Sequence, residues 1–141
     1  MLNIRETNPQ EDCAIAQHFY QMWLDNNIPV ESIHSDWLKI TLEFIDRARS
    51  ELQYKAFVAE IEGEIIGSAS CQLFAGLYPD IIVDRSRKYG YIWGVYVEPI
   101  YRKQGIAKKL TTKTIEYLKA IGCTRAILNA SPSGKLVYSQ L

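Results

Sequence analysis

Between residues 91 and 121 the chain passes from an unbroken apolar run, through a basic glycine turn, into an amphipathic periodicity, and that succession restricts the available folds more than any other feature. Residues 91–97 are apolar at both alternating positions and rich in β-branched and aromatic side chains, as a central strand covered on both faces should be. Pro99 ends its pairing. Over 104–121, Ile106, Ala107, Leu110, Thr114, Tyr117, Leu118 and Ile121 share one stripe of a 3.6-residue period. Lys108, Lys109, Lys113, Glu116 and Lys119 lie opposite. The pattern predicts a helix that packs on one face and is wet on the other.

A strand that feeds a helix through a short turn aims the helix's free N–H groups and partial positive charge at the space above the strand's end. An anion is stabilised there. Gly105 lets a ligand approach the backbone with no Cβ in the way, Ala107 keeps the first helical turn slim, and Arg102, Lys103 and Lys108 add full positive charges. No Gly-Lys-Ser/Thr follows and three spaced glycines are missing, so the turn is neither a Walker loop nor a dinucleotide fingerprint.

Upstream, residues 2–5 read as a short strand. Asn8, Pro9 and Glu11 then combine a cap, a first-turn proline and a capping-box glutamate, predicting a helix with Ile15, Ala16, Phe19, Met22 and Trp23 on its apolar stripe that ends near Asn26 and Asn27. A second helix follows Ser35 or Asp36 and packs through Leu38, Thr41, Leu42 and Ile45. Residues 55–61 and 64–73 read as strands joined at Glu62-Gly63, a good hairpin turn. Residues 125–130 read as a further strand, after which Ser131 and Pro132 suit the start of a short helix.

Arg102-x-x-Gly105-x-Ala107, placed after Val95-x-Val97-x-Pro99-x-Tyr101, resembles the acyl-CoA signature Gln/Arg-x-x-Gly-x-Gly/Ala of the GNAT N-acetyltransferase superfamily, and the order of elements extends the resemblance over almost the whole chain. The resemblance implies an α/β (α+β) fold: one GNAT-like domain over 1–141, with a central mixed, twisted sheet flanked by helices, antiparallel through the hairpin and parallel between the strands near 91 and 125. It implies acetyl-CoA as cofactor, wedged where those parallel strands splay. Backbone groups of Val95, Tyr96 and Val97 would meet the pantetheine arm. The amides of Gln104, Gly105, Ile106, Ala107 and Lys108, with Arg102 and Lys103 beside them, would hold the pyrophosphate, and Ser131 would complete the contacts. Tyr138, on the short helix after 131, would be the general acid, since a phenol near pKa ~10 can protonate a departing thiolate whose acid lies near ~8.5. The superfamily usually continues with further strands that this chain is expected to lack, which would leave the last strand's edge open; a second copy covering that edge would make a homodimer.

The rest of the composition narrows the class. At 141 residues and 48% hydrophobic, the chain can bury one substantial core. Sixteen basic and sixteen acidic residues cancel, which argues against a dedicated nucleic-acid binder. Cys13, Cys71 and Cys123 are odd in number and far apart, have no metal-ligand spacing, and read as buried thiols of a reducing compartment. No signal peptide and no run of about 18 apolar residues is present. A soluble cytoplasmic protein with neither membrane nor metal partner is expected.

The expected activity is transfer of an acetyl group to a primary amine of a small molecule, an amino acid or another amine, by direct attack in a ternary complex. Acetylation of a protein amine is one alternative, and a non-catalytic acyl-CoA sensor is another. No carboxylate lies within 91–97, so the base is sought at Glu98, with Asp84 and Tyr91 as further candidates. Acceptor specificity is sought in 26–37 and in the long connection 75–90.

Overall fold

The computed structural model describes residues 1–129 and 136–141. Its elements are β1 (Leu2–Glu6), α1 (Asp12–Asp25), α2 (Trp37–Glu51), β2 (Lys55–Ile61), β3 (Glu64–Leu73), β4 (Tyr89–Val97), α3 (Ile106–Ala120), β5 (Arg125–Asn129) and β6 (Leu136–Gln140). One six-stranded sheet runs in the order β1-β2-β3-β4-β5-β6. All neighbours are antiparallel except β4 and β5, which α3 connects in parallel.

Side-chain alternation divides the core between the two faces of the sheet. Phe57 and Ala59 of β2 join Ile92 and Val97 of β4 against Ile106, Leu110 and Leu118 of α3. Ala56 and Trp93 point the other way, onto Ile15 of α1 and Ile45 and Ala48 of α2. On the α3 side, helix and sheet meet closely at Gly90, where a Cβ would stand 2.7 Å from both methyls of Leu118. On the α1/α2 side, β3 presents a row of buried polar groups. Ser68 meets His18 of α1 and Ser70 meets Tyr54, each at 2.8 Å, and Gln72 accepts a bond of 3.0 Å from Trp93 Nε1. Each of these i, i+2, i+4 residues thus has a partner, which removes the desolvation penalty an unpaired group would carry.

The hairpin turn is formed by Glu62 and Gly63, both at positive φ, as its sequence requires. The capping box also forms: Gln10 N–H donates to Asn8 Oδ1 and Asn8 N–H to Glu11 Oε1, each at 3.1 Å. It opens a 3-10 turn over Pro9–Glu11, with the α-helix proper starting at Asp12.

Several expectations are corrected. Residues 136–140 form a strand, not the expected helix: Leu136, Val137 and Tyr138 suit extended pairing, and the partner edge of β5 is available. That edge is therefore covered by the chain's own β6. Helix α3 starts at Ile106, so Gln104 and Gly105 belong to the turn. Ala107 is exposed although its neighbour Ile106 is buried, so the packing stripe of α3 passes it by. Leu38 is exposed too, and the buried positions of α2 are Thr41, Ile45 and Ala48. Cys13 lies on the outer side of α1 and is exposed, whereas Cys71 and Cys123 are buried.

Candidate functional site

The turn after β4 is built to leave amides open. Pro99–Tyr101 form a single 3-10 turn, and Lys103 and Gly105 then take left-handed conformations, φ 65° and 79°. Alternating handedness of this kind turns successive N–H groups into one concavity. Gly105 caps α3 without any side-chain bond, and the first bond closing the helix runs from Lys109 N–H to the Gly105 carbonyl at 3.1 Å. The amides from Gly105 to Lys108 precede it and have no helical acceptor. Nothing lies within 4 Å of the point a Gly105 Cβ would occupy. Gly105, Ala107, Lys103 and Lys108 are exposed, and 102–109 contains no carboxylate. Donor N–H groups, ammonium groups and open space over a glycine fit a pyrophosphate in shape and in charge.

A strand edge that the described part of β5 leaves uncovered leads into this turn. β4 pairs with β5 only from Tyr89↔Arg125 to Ile92↔Leu128, so among the described residues Trp93 to Val97 have no β5 partner. Four strand steps make that edge about 13 Å long. The pairing stops beside a bulge. Ser68 and Ser70 of β3 face Tyr96 and Trp93, so β4 carries one extra residue there, and Gly94 supplies the positive φ, 65°.

Of the residues the sequence singled out, Val95, Tyr96, Val97 and Lys103 to Lys108 are contiguous along this edge and turn. Arg102 is placed differently: its guanidinium reaches back to the Val97 carbonyl and to Asp25 of α1, at 2.7 and 3.0 Å. Tyr138 sits opposite Ile127 in the β5–β6 ladder, and the placement of its phenol lies outside what is described, as does Ser131. Glu98 stands just past the strand end, its carboxylate 3.6 Å from His18 Nε2.

His18 is the residue that sequence reasoning missed. It is 7% exposed, touches Ser68 through Nδ1 and packs its ring 5.1 Å from that of Tyr96. Desolvation lowers its pKa, opposed by the Glu98 carboxylate, so the imidazole is held neutral at pH 7. The signal was present: Ile15, His18, Met22 and Asp25 follow 3-4-3 spacing along one stripe of α1, and polar side chains on a packing stripe call for partners.

The α1/α2 face beside the bulge is aromatic. Trp93 receives Phe19 and Phe44 edge-on at 5.1 and 5.4 Å, Phe74 meets Tyr91 at 6.0 Å, and Tyr20 stacks on Trp37 at 4.2 Å, fixing the start of α2 to α1. In the β3–β4 connection, Arg87 is held by Asp80 at 3.1 Å and lies over the Tyr89 ring, while Lys88 Nζ donates to the Ile121 carbonyl at 2.6 Å. Burial pushes the Cys71 thiol up to about 12 and raises that of Cys123, which makes both poor nucleophiles. No group of three or more His, Cys, Asp or Glu that could hold a metal occurs among the described residues. No helix among them is long and apolar enough to cross a membrane.

A mixed sheet whose parallel pair opens onto a glycine-capped helix N-terminus defines a class of α/β proteins that hold an extended, anionic ligand across strand and helix. Within that class the match is specific: the acetyltransferase (GNAT) family covers residues 15–135, and the chain belongs to it. A glucosamine 6-phosphate N-acetyltransferase of Trypanosoma brucei brucei is 30% identical over 95 residues, 67% of this chain. The match spans only 61% of that relative's own length. A predicted acetyltransferase of Clostridium acetobutylicum solved with acetyl-CoA has the same fold, with a TM-score of 0.78 and 21% identity, covering 96% of this chain and 84% of that one. A Trypanosoma brucei acetyltransferase superposes with a TM-score of 0.62 at 25% identity, covering 94% of this chain and 84% of its own.

Proposed function

We propose that the protein is an acetyl-CoA-dependent N-acetyltransferase that acetylates a primary amine of a small molecule by direct transfer in a ternary complex. The observation that carries this reading is the continuity of the β4 segment Trp93 to Val97, which has no β5 partner among the described residues, with the open amides of the Gly105 turn. Family membership and the fold shared with a structure solved with acetyl-CoA support it.

In this reading the amides of Gly105 to Lys108 hold the pyrophosphate, and Lys103 and Lys108 neutralise it. Backbone groups of Val95 and Val97 align the pantetheine arm along the strand. When bound, acetyl-CoA supplies the acyl group as an activated thioester. The bulge at Gly94 leaves a β4 amide available to polarise the thioester carbonyl, a contribution that is largest when the donor is fixed in advance. Tyr138 is the proton donor to the departing sulfur. Glu98, backed by His18, receives the acceptor's proton through water. Gly94 to Glu98 is four residues, about 13 Å at the rise of a strand, which is too far for direct contact.

The aromatic side chains around Trp93 and the loops 26–36 and 74–88 border the acceptor. An amino-sugar phosphate is suggested by the name of the 30% identical relative. The charges of Arg87 and Lys88 are already engaged within the chain, so the acceptor panel needs amines with and without phosphate.

The test is a thermal-shift titration with acetyl-CoA on the wild type and on Gly105→Glu, whose carboxylate would occupy and repel the pyrophosphate position. Saturation at 100 times the dissociation constant adds about 2.7 kcal/mol to stability. Stabilisation of the wild type alone, followed by turnover on an amine panel that Tyr138→Phe lowers, supports the reading. Equal shifts in both proteins, or none, would overturn it.

A further inference from the structure

Arg102 opens the turn, yet its guanidinium is engaged away from the open amides. Nε donates to the Val97 carbonyl at 2.7 Å and Nη2 to Asp25 Oδ2 at 3.0 Å, with the guanidinium carbon 5.2 Å from the centre of the Tyr96 ring. Tyr96 Oη donates to the same Asp25 oxygen at 3.2 Å, and Gln21 Nε2 donates to the other at 3.2 Å. Asp25 is the last residue of α1, where a carboxylate meets the negative end of the helix dipole and is disfavoured unless a cation sits beside it. Desolvation also opposes ionisation of Asp25, but the bonds from Gln21, Arg102 and Tyr96 prevail and hold its carboxyl below the ordinary value.

The Val97 carbonyl is equally informative. Glu98 N–H donates to the Ile66 carbonyl across to β3 at 2.8 Å. In a trans peptide the Val97 oxygen then points away from β3, to the opposite edge of β4. Arg102 therefore meets, from one side chain, an edge carbonyl of β4 and the last carboxylate of α1.

We propose that Arg102 is a positioning residue and not a phosphate ligand: with Asp25 and Tyr96 it ties the cofactor turn to α1, fixing the turn's amides relative to the helix that leads into the acceptor loop 26–36. The proposal rests on the reading that the turn holds acetyl-CoA. It separates from the phosphate-ligand alternative by sign. If Arg102 bound phosphate, Asp25 would compete for its charge, and Asp25→Asn would leave CoA binding unchanged or tighten it. In a tie, Asp25→Asn loosens the turn and weakens binding. Lysine discriminates as well, because an ammonium supplies charge to a phosphate but cannot present the fork that spans a carbonyl and a carboxylate.

The experiment compares the wild type with Asp25→Asn, Arg102→Lys, Arg102→Ala and the double variant Asp25→Asn/Arg102→Ala. Amide hydrogen exchange over 98–108 is read without ligand, and CoA binding is read by calorimetry. Each single change should speed exchange across the turn and weaken CoA binding roughly three- to tenfold, the weight of a charge-assisted bond between partly exposed groups. The double variant should be no weaker than the worse single one, since both remove one connection. Arg102→Lys restoring wild-type affinity while Asp25→Asn binds as well or better would overturn the proposal, as would unchanged exchange in Asp25→Asn. A wild type that fails to bind CoA would sink the reading of the turn, and the exchange data alone would then decide the tie.

Discussion

Gly105 offers a test in which fold and ligand respond in opposite order. Its φ of 79° lies in the left-handed region and no atom stands within 4 Å of an added Cβ, so substitution incurs backbone strain without a clash. For alanine that strain is about 1–2 kcal/mol, whereas asparagine visits the region routinely and loses less. In a chain of this size 1 kcal/mol moves the unfolding midpoint by roughly 3–5 °C, so stability should fall in the order wild type, Gly105→Asn, Gly105→Ala. Affinity for CoA should follow another order. Both side chains enter the space assigned to the pyrophosphate, and asparagine is the larger. Loss of one amide-to-phosphate bond, at about 1.5–3 kcal/mol, weakens binding roughly 10- to 100-fold. Urea unfolding and calorimetric titration of CoA measure the two quantities on the same preparations. If affinity falls in the same order as stability, or if both variants bind within about threefold of the wild type, the open space over Gly105 is not ligand space.

Three further outcomes are expected. Gly90→Ala should destabilise by about 1–3 kcal/mol in urea unfolding, because the new methyl would stand 2.7 Å from Leu118 Cδ1 and Cδ2 in a core that cannot yield freely. His18 has a folded-state pKa below its ordinary 6.5, so the unfolded chain binds the extra proton first; stability present above pH 6.5 should fall as the pH drops below it, and His18→Gln should flatten that part of a Tm-versus-pH curve. Native protein at pH 8 should release one thiol equivalent rapidly to a disulfide reagent, from exposed Cys13, with Cys71 and Cys123 reacting only on unfolding; three fast thiols would contradict their burial.

Local signals in the sequence were sufficient for most of the fold. The Asn8–Glu11 box, the Glu62-Gly63 turn and the two-sided apolar run at 91–97 each point to one local structure, and each forms. The last segment was misread because Ser131-Pro132 is a good helix start, while the pull of an open strand edge on 136–140 is a tertiary effect with no local signature. The Gly105 turn was legible because its chemistry lies in consecutive residues. The cluster of His18, Asp25, Tyr96 and Glu98 was not, since it joins positions more than 70 apart, and Arg102 read alone looks like a free charge for an anion. Only the register of α1 against the end of β4 shows that this charge already has a partner.

The two faces of the sheet solve different mechanical problems. α3 must hold its N-terminal amides at a fixed height over β4, and close apolar contact does so: Leu118 against Gly90, and Leu110 against Gly67, where a Cβ would stand 3.3 Å from Leu110 Cδ1. Such packing resists compression but specifies little about direction, which suffices when the ligand meets backbone groups. The α1/α2 face carries Ser68, Ser70 and Gln72, each bonded to a ring from a different part of the chain. Hydrogen bonds are directional, so this row fixes the rotation of α1 and the orientation of Trp93 beside the bulge. The arrangement matches the proposed division of labour: a cofactor read through the backbone at the α3 end, and an acceptor read through side chains on the α1/α2 face. Asp25 and Arg102 connect the two, which is why a change at the end of α1 is expected to be felt by amides in the turn.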